Sequence, residues 1–270
     1  MKHSEYAAIE GINWSTLKHM RESPLAYLTA KQAPQKDSDA LTLGRLMHAM
    51  VFEPLVVSEE YAIWDGDRRG KAWTEFKAEN EGLNIVKVEA YEEAKAMAVA
   101  VRNHPLVAPY LSGGIFERPV FWTDPATGLQ CKARPDWLRP ASRALIDLKS
   151  CKSIEGRQFG NAAARYGYHC QLAHYANGIE ASLGWRPARQ LLIAAEKLAP
   201  YDVGVFELDE EAKYAGAQEV AELLAKVRAH TDSDSWPGRY TEEQALQLPA
   251  WLFLEDDDAD ADGLGLIVGD

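Results

Sequence analysis

The feature that most constrains this chain is a pair of short apolar segments that each carry charged residues, within KARPDWLRPASRALIDLKS at positions 132–150. Each segment has the length and apolar content of a β-strand. The first nevertheless contains Asp136, and the second contains Asp147 followed two positions later by Lys149. Aspartate is depleted in strands, and a buried charge without a partner is costly in free energy. The sequence therefore predicts that these three charges compensate one another or bind something together.

Strand geometry predicts how the charges meet. Side chains alternate between the two faces of a strand, so Asp147 and Lys149 share one face. If residues 129–137 form one strand that pairs with this one as a hairpin, Asp136 approaches Asp147. Two carboxylates at such a short distance repel each other unless a cation neutralises them. Mg²⁺ prefers hard oxygen ligands of this kind. The pattern predicts a Mg²⁺ site for phosphodiester hydrolysis, with Lys149 stabilising developing charge. The alternative is a surface hairpin with an exposed Asp147–Lys149 ion pair.

The order of helical and strand-like segments is typical of an α/β protein with a central mixed β-sheet flanked by helices. Residues 65–73 are expected to form a charged, glycine-rich loop, and Ser15 or Thr16 is expected to cap the first helix. We expect a single domain over residues 1–254 with a helical N-terminal part, and an acidic, flexible tail over residues 255–270. We expect a meander of three strands between residues 114 and 150. Helices are expected near 12–22, 41–53, 89–104, 166–184 and 209–230, and further strands at 189–196 and 202–209.

The net charge of −12 argues against a protein covered with basic surface for nucleic acid. Half of that charge comes from residues 255–262, EDDDADAD, which contain six acids and no base. An enzyme that acts on DNA and releases it needs only a local basic track. The basic residues that we expect to contact DNA are Arg68, Arg69, Lys71, Lys132, Arg134, Lys152 and Arg165.

Other classes of protein are disfavoured by what the sequence contains. No apolar run approaches the length needed to cross a bilayer, and the start MKHSEYAAIEGINW lacks the apolar core of a signal peptide. A cytoplasmic location without membrane association is the expectation. The three cysteines are widely spaced and form no CxxC pair, which predicts free thiols and disfavours a disulfide framework, a zinc knuckle or an iron–sulfur cluster.

Three stretches together resemble the restriction-endonuclease-like nuclease superfamily, whose metal site follows the pattern P-D and then D/E-x-K. RPDWL and ALIDLKS supply that pattern, while GRLMHAMVFEP resembles the G-x-x-x-H helix of the RecB-type branch and QLAHY resembles its Q-x-x-x-Y helix. FWTDPATGLQCKARPDWL and SPLAYL look particularly like the exodeoxyribonuclease VIII (RecE)-like exonucleases of phages and prophages. The resemblance spans residues 10–210 and implies a restriction-endonuclease-like core.

The resemblance implies roles for individual residues. Lys149 would serve the attacking water and the transition state, and Gln171 and Tyr175, four apart on one helix face, would line the site and hold DNA. His48 would lie beside the metal as a ligand or a phosphate contact, and Glu117 would reach the metal through water. Considered alone, His48 is typical of a core histidine, and Gln171 and Tyr175 are ordinary residues of an amphipathic helix. The implied groups around Mg²⁺, for which Mn²⁺ can substitute, are Asp136, Asp147, the carbonyl of Leu148, His48 and Glu117.

The resemblance also implies an activity. The expected enzyme is a Mg²⁺-dependent exonuclease that degrades one strand of double-stranded DNA from its end, 5′ to 3′. It would leave 3′ single-stranded overhangs for a partner, a single-strand annealing recombinase, and would work as a homo-oligomeric ring around duplex DNA. The alternatives are an endonuclease or single-strand-directed nuclease of the same fold, a DNA-binding module without catalysis, and an adaptor that recruits a protein through the acidic tail.

Overall fold

The computed structural model describes residues 3–33 and 38–249 of the chain. The helices are α1 (His3–Ala8), α2 (Trp14–Leu17), α3 (Pro24–Gln32), α4 (Asp39–Phe52), α5 (Val57–Glu60), α6 (Gly70–Glu79), α7 (Val88–Asn103), α8 (Ala108–Leu111), α9 (Gly156–Tyr166), α10 (Tyr168–Leu183) and α11 (Glu210–Ser233). The strands are β1 (Tyr61–Trp64), β2 (Asn84–Lys87), β3 (Ile115–Phe116), β4 (Val120–Thr123), β5 (Gln130–Ala133), β6 (Trp137–Arg139), β7 (Ala144–Cys151), β8 (Arg189–Glu196) and β9 (Val203–Glu207). Single 3₁₀ turns cover Lys18–Arg21 and Pro140–Ser142.

A five-stranded mixed sheet forms the centre of the fold, in the spatial order β3-β6-β7-β8-β9. Strands β7 and β8 run parallel, and the other neighbouring pairs are antiparallel. A parallel pair needs a crossover connection, and the two helices α9 and α10 supply it between β7 and β8. The expectation of an α/β fold with a central mixed sheet flanked by helices is confirmed.

The two faces of β7 pack against different helices. Ile146 and Leu148 belong to the apolar core shared with α4 and α7, whereas Leu145 belongs to a second core shared with α9 and α10. Because strand residues alternate between faces, Asp147 and Lys149 point toward the α10 side of the sheet. Helix α4 is capped by Ser38, whose side chain accepts from the Leu41 backbone N–H, and it packs closely against α7.

The expected three-stranded meander is wrong in one respect. Strands β4 and β5 form a separate hairpin around the turn at residues 124–129, and β5 does not continue into the strand that pairs with β7. Pro135 has no N–H to donate, and the chain changes sheets there before β6 begins. The second edge of β5 pairs instead with Ile12, whose N–H donates to the Gln130 carbonyl and whose carbonyl accepts from the Lys132 N–H.

Two local expectations also need correction. The N-cap of α2 is Asn13, whose side chain accepts from the Thr16 N–H, and not Ser15 or Thr16. Residues 65–73 are not wholly a loop, because α6 begins at Gly70. The side chains of Trp73 and Phe76, three residues apart on one helix face, both pack on Trp64, and this aromatic contact favours the helix.

None of the described helices is both long and apolar enough to cross a membrane. Cys131, Cys151 and Cys170 are free thiols, and Cys131 and Cys170 are buried, as expected. The acidic segment 255–270 lies outside the described residues, and the domain boundary at residue 254 stays a prediction.

Candidate metal centre

The Asp136 side chain bonds to the backbone of β7 at Leu148, the residue after Asp147. The Oδ2 atom of Asp136, which lies just before β6, accepts a hydrogen bond of 2.8 Å from the Leu148 N–H. Asp147 is one residue earlier on β7 and is almost wholly buried, with 1% of its surface exposed. Its Oδ1 atom has no hydrogen-bond partner among residues 3–33 and 38–249. The charge of Asp136 is near enough to act on the pKa of Asp147, although the residues before Asp136 belong to a different sheet.

His48 approaches Asp136 from α4. Its Nε2 atom lies 2.8 Å from the Leu148 carbonyl, and since a carbonyl only accepts, this nitrogen carries the proton. The Nδ1 atom then faces Asp136 Oδ2 at 3.5 Å. Burial lowers the pKa of His48 below its usual range, and the charge of Lys149 acts in the same direction against the opposing effect of Asp136. A neutral imidazole in this position turns a lone pair toward a carboxylate, an arrangement that a bound cation relieves.

Glu117 completes a cluster with these two residues. One ligand atom from each of His48, Glu117 and Asp136 lies within 4.8 Å of the others. Glu117 follows β3 with a left-handed φ of +49°, and its N–H donates to the Asp136 carbonyl. Such a conformation costs a non-glycine residue about 1–3 kcal/mol, and positions of this kind concentrate at functional sites. An ion pair of 2.6 Å joins Glu117 Oε2 to Arg134 Nε.

Lys149 lies on the other side of Asp147. Its Nζ atom is 2.5 Å from Asp147 Oδ2 and donates to Gln171 Oε1 at 3.0 Å. Gln171 Nε2 in turn donates to the Tyr175 hydroxyl at 2.7 Å, so the two α10 residues that share one helix face hold the lysine in place. The Lys149 ammonium also lies 4.8 Å from the centre of the Tyr168 ring, within range of a cation–π interaction.

Two carboxyl groups at this site, those of Glu117 and Asp147, have raised pKa values. Burial raises the pKa of Glu117 to about 8, with Asp136 adding to the shift and Arg134 opposing it. Burial likewise raises the pKa of Asp147 to about 7, with Lys149 opposing and Asp136 adding. Burial alone would lower the pKa of Lys149, but the attraction of Asp147 and Asp136 outweighs it and raises the pKa. A divalent cation must therefore displace protons when it binds here near neutral pH.

The donors fit a hard divalent cation. The carboxylates of Glu117 and Asp136 and one imidazole nitrogen of His48 lie together, and His48 presents a lone pair there. Asp147 Oδ1 has no hydrogen-bond partner in the described part of the chain and could add a further oxygen. Oxygen-rich sites of this kind suit Mg²⁺ or Mn²⁺. The Leu148 carbonyl, expected as a further metal ligand, accepts the His48 hydrogen bond and keeps a second lone pair. Ligands for the cation would come from Asp136, Asp147, Glu117 and His48.

A second cluster of potential ligands consists of His169, Cys170 and Glu219, and the positive charge beside it is the side chain of Arg21. The Arg21 guanidinium bonds both Glu219 carboxylate oxygens, at 2.5 and 2.9 Å, and contacts Cys170 Sγ at 3.2 Å. Burial raises the pKa of the Cys170 thiol to about 12, and its bond to Glu219 adds to the shift, so the thiolate that a metal needs is disfavoured. This group of side chains links the N-terminal segment to α11.

A cleft of about 1870 Å³ opens onto the metal-binding cluster, between the N-terminal segment and the sheet. Lys132 lines it but is buried, and its Nζ donates to the carbonyls of Tyr6, Ala7 and Ile9. This position does not support the expectation that Lys132 contacts DNA, because its ammonium holds the N-terminal segment against β5. Arg134 is within the cleft, paired with Glu117.

The other expected DNA contacts lie elsewhere. Arg68, Arg69 and Lys71 are near α6, outside the cleft, where Arg69 pairs with Asp67 and Lys71 pairs with Glu75. Lys152 and Arg165 are exposed beyond the cleft lining. The structure does not gather these five residues into one track with the metal-binding cluster.

The cleft also contains residues that no sequence motif predicted. Lys18 lines the cleft, and its pKa is lowered by burial of the ammonium and by the nearby charge of Lys149. Tyr166 and Tyr168 line it as well, on either side of Gly167. The triplet YGY, at the junction of α9 with the helix that carries Q-x-x-x-Y, was the available signal for the tyrosines. Nothing local distinguishes Lys18 from any exposed lysine, because its position depends on how the N-terminal segment folds back.

With a mixed central sheet flanked by helices, the chain has the fold of the PDDEXK-like class, and it carries P-D before β6 and D-x-K on β7. Residues 13–247 match the family described as "PDDEXK-like domain of unknown function (DUF3799)", and the chain belongs to that family. No curated protein matches the sequence.

One solved structure shares the fold. The crystal structure of a protein from Eubacterium rectale, named as a candidate exonuclease, aligns with a TM-score of 0.65 and 17% identity over 92% of this chain and 93% of that chain. At this identity the likeness shows the fold alone. A phage-related exonuclease from Haemophilus somnus 129PT aligns over 86% of this chain and 99% of its own, but its TM-score of 0.36 and 11% identity are too low to support a conclusion.

Proposed function

We propose that this protein is a divalent-metal-dependent nuclease, and specifically a Mg²⁺-dependent exonuclease that acts on the ends of double-stranded DNA. The observation that carries the proposal is the convergence of His48, Glu117 and Asp136 within 4.8 Å, beside the buried Asp147 and its partner Lys149. Membership of a PDDEXK-like family and the shared fold support a nuclease hydrolase. The cleft in front of the cluster gives a strand of nucleic acid room to reach it.

The bound cation would polarise a phosphoryl oxygen and lower the pKa of a water molecule. The chain supplies its ligands and holds them before the cation arrives. Asp136 is held by the Leu148 N–H, and His48 is oriented by the Leu148 carbonyl, so a single residue of β7 fixes two ligand side chains. Such backbone support keeps the cluster in place without help from the substrate.

Lys149 acts as a cation in this proposal and not as a general base. Its raised pKa keeps the ammonium charged at neutral pH, and Gln171 Oε1 and Asp147 fix its direction. A fixed ammonium next to the scissile phosphate stabilises the negative charge that grows on the phosphoryl oxygens in the transition state. Tyr175, whose own pKa burial raises well above its usual value, remains a hydroxyl donor. Because its oxygen already accepts from Gln171, its proton is available to a phosphate in the cleft.

The finer features of the proposal are supported by the resemblance to RecE-like phage exonucleases. They are digestion from 5′ to 3′, a 3′ single-stranded product passed to a single-strand annealing recombinase, and a homo-oligomeric ring that encircles duplex DNA. A ring also agrees with the charge of the chain, since basic cleft residues would face the DNA while the net charge of −12 faces outward.

The test is release of acid-soluble nucleotides from linear and covalently closed circular duplex DNA, with Mg²⁺ and with EDTA. The proposal predicts Mg²⁺-dependent release from the linear substrate alone, and products that retain a 3′-end label longer than a 5′-end label. Asp147→Asn keeps the side-chain shape and should lower the rate about 100-fold or more, whereas exposed Lys152→Ala should not. Cleavage of the circle would favour the endonuclease alternative. Inactivity on both substrates, or full activity of Asp147→Asn, would rule the proposal out.

A further inference from the structure

Two tyrosines, Tyr166 and Tyr168, form a surface beside the candidate metal centre, and the outer one, Tyr166, has no role in the proposed chemistry. Tyr166 is the last residue of α9 and Tyr168 is the first residue of α10, with Gly167 between them in the left-handed conformation at φ +69°. This sharp junction places the two rings against each other, with centroids 5.8 Å apart and planes inclined by 24°. Tyr166 is 55% exposed.

The two tyrosine rings extend from Lys149 toward solvent. Lys149 Nζ lies 4.8 Å from the centre of the Tyr168 ring, and Tyr168 then stacks on Tyr166. All three side chains line the same cleft. An ammonium, an inner ring and an outer ring thus form a row from the metal-binding cluster toward solvent.

The junction that carries the rings is held tightly. A side chain at Gly167 would place its Cβ 2.5 Å from Trp14 Cζ2 and 2.6 Å from Arg21 Nη1, so the backbone there packs directly on the N-terminal segment. Arg21 is itself fixed by its two bonds to Glu219 on α11. Rings on such a support keep their orientation, which lowers the entropic cost of stacking a ligand on them.

An exposed aromatic ring in a nucleic-acid cleft suits one kind of ligand. Base–aromatic stacking contributes to single-strand binding whatever the base, because every base has a π-face. Inside a duplex both faces of a base are covered by its neighbours. A tyrosine ring can therefore stack only on a terminal base or on one that has left the duplex.

We propose that Tyr166, supported by Tyr168, is a stacking platform for an unpaired base next to the scissile phosphate. The inference rests on the proposed nuclease function and specifies its substrate: the strand that is cut reaches the centre with the nucleotide at this position unpaired. Tyr166 is a substrate-binding residue in this account, and the aromatic ring is the part that matters. DNA ends that are already frayed should be better substrates than flush ends, which must open first.

Binding tests the platform without hydrolysis. A short single-stranded DNA oligonucleotide that carries 2-aminopurine at its 5′ end is titrated with protein in EDTA, and stacking is followed as quenching of its fluorescence. Tyr166→Phe keeps the ring and should bind as the unchanged protein does, while Tyr166→Ala should bind about 10-fold more weakly with less quenching. Tyr214→Ala is the matched control, because Tyr214 is 68% exposed on α11 and does not line the cleft.

Kinetic measurements then test whether a frayed DNA end is a better substrate than a flush end. The ratio of kcat/KM for a frayed duplex end to that for a flush end should exceed one in the unchanged protein and in Tyr166→Phe, and should fall toward one in Tyr166→Ala. Equal binding and an equal ratio in Tyr166→Ala and Tyr214→Ala would overturn the platform. If the unchanged protein hydrolyses no DNA, the nuclease proposal fails, and the quenching experiment alone still decides whether the tyrosines stack on a base.

Discussion

His48 Nε2 donates a 2.8 Å hydrogen bond to the carbonyl of Leu148, and this contact decides what His48 can offer to Asp136. With the proton on Nε2, the Nδ1 atom presents a lone pair to a carboxylate oxygen 3.5 Å away. Two electron-rich atoms in that position need a cation between or beside them. The Leu148 N–H meanwhile holds the same Asp136 oxygen, so one backbone residue arranges both sides of the candidate metal centre.

The stability of the metal-free protein should fall as pH rises from about 4 to about 8 and then level off. The folded-state pKa values of Asp147 and Glu117, about 7 and about 8, lie above the ordinary 3.8 and 4.5. The stability that protonation of these groups contributes is fully present below about pH 4 and is lost as both ionise in the folded protein. Shifts of this size correspond to a few kcal/mol in order of magnitude. The measurement is the melting temperature in EDTA at a series of pH values.

A double variant and added Mg²⁺ distinguish the ionisation of Asp147 and Glu117 from the titration of other groups. Asp147→Asn combined with Glu117→Gln should flatten the decline between about pH 4 and 8, because neither side chain can ionise. Mg²⁺ should stabilise the unchanged protein more at pH 9 than at pH 6, since the ligands must be deprotonated to bind it. A melting temperature that rises with pH in EDTA, or that declines identically in the double variant, would contradict the assignment.

Lys149→Met should abolish most of the activity while leaving DNA binding largely intact. The substitution removes the charge that Asp147 and Gln171 hold beside the phosphate but keeps the length of the side chain. We expect kcat to fall about 100-fold or more with a small change in KM, as for the loss of one fixed transition-state donor. Lys149→Arg should not restore the rate, because a planar guanidinium does not fit a site shaped for an ammonium. Near-normal kcat in Lys149→Met would refute this role.

Lys132→Met should cost stability and leave DNA affinity unchanged. The Lys132 ammonium satisfies the carbonyls of Tyr6, Ala7 and Ile9, and its loss leaves them without this donor. The expected penalty is about 1–3 kcal/mol, or a decrease in melting temperature of roughly 2–4 °C for each kcal/mol. Affinity for duplex DNA is measured below the melting transition, with exposed Lys152→Met as the control for stability. A large loss of affinity with an unchanged melting temperature would restore the DNA-binding interpretation.

Lys18→Ala should weaken DNA binding in a salt-dependent way, and Lys71→Ala should not. Lys18 lines the cleft close enough to Lys149 for their charges to repel, and a phosphate between them would relieve that repulsion. Lys71 instead pairs with Glu75, 3.4 Å away on α6. Loss of one phosphate contact reduces the slope of log affinity against log salt concentration by about 0.9. Equal slopes for the two variants would place the DNA path outside the cleft.

The central sheet and the position of Lys149 beside Asp147 could be predicted from the sequence, because both depend on local periodicity. Alternation along β7 puts Asp147 and Lys149 on one face, and the four-residue spacing of Gln171 and Tyr175 puts them on one face of α10. Pro135 was the local signal that Lys132 and Asp136 do not share a strand, and it outweighs the apparent alternation around it.

Other features depend on contacts between distant parts of the chain. The role of Lys132 follows from carbonyls more than 120 residues earlier, and the position of Lys18 follows from how that same segment folds over β5. Strands β1 and β2 have four residues each, too few to show an alternating pattern, and they pair in parallel across α6. Neither periodicity nor spacing encodes these contacts.

The most direct test of the candidate metal centre is anomalous diffraction from crystals soaked in Mn²⁺. The account predicts one or two strong peaks within bonding distance of the Asp136 and Asp147 carboxylates, with His48 Nδ1 and Glu117 turned toward them, and loss of the peaks in Asp147→Asn. A peak at His169, Cys170 and Glu219 instead, or none at the Asp136–Asp147 pair, would contradict the account.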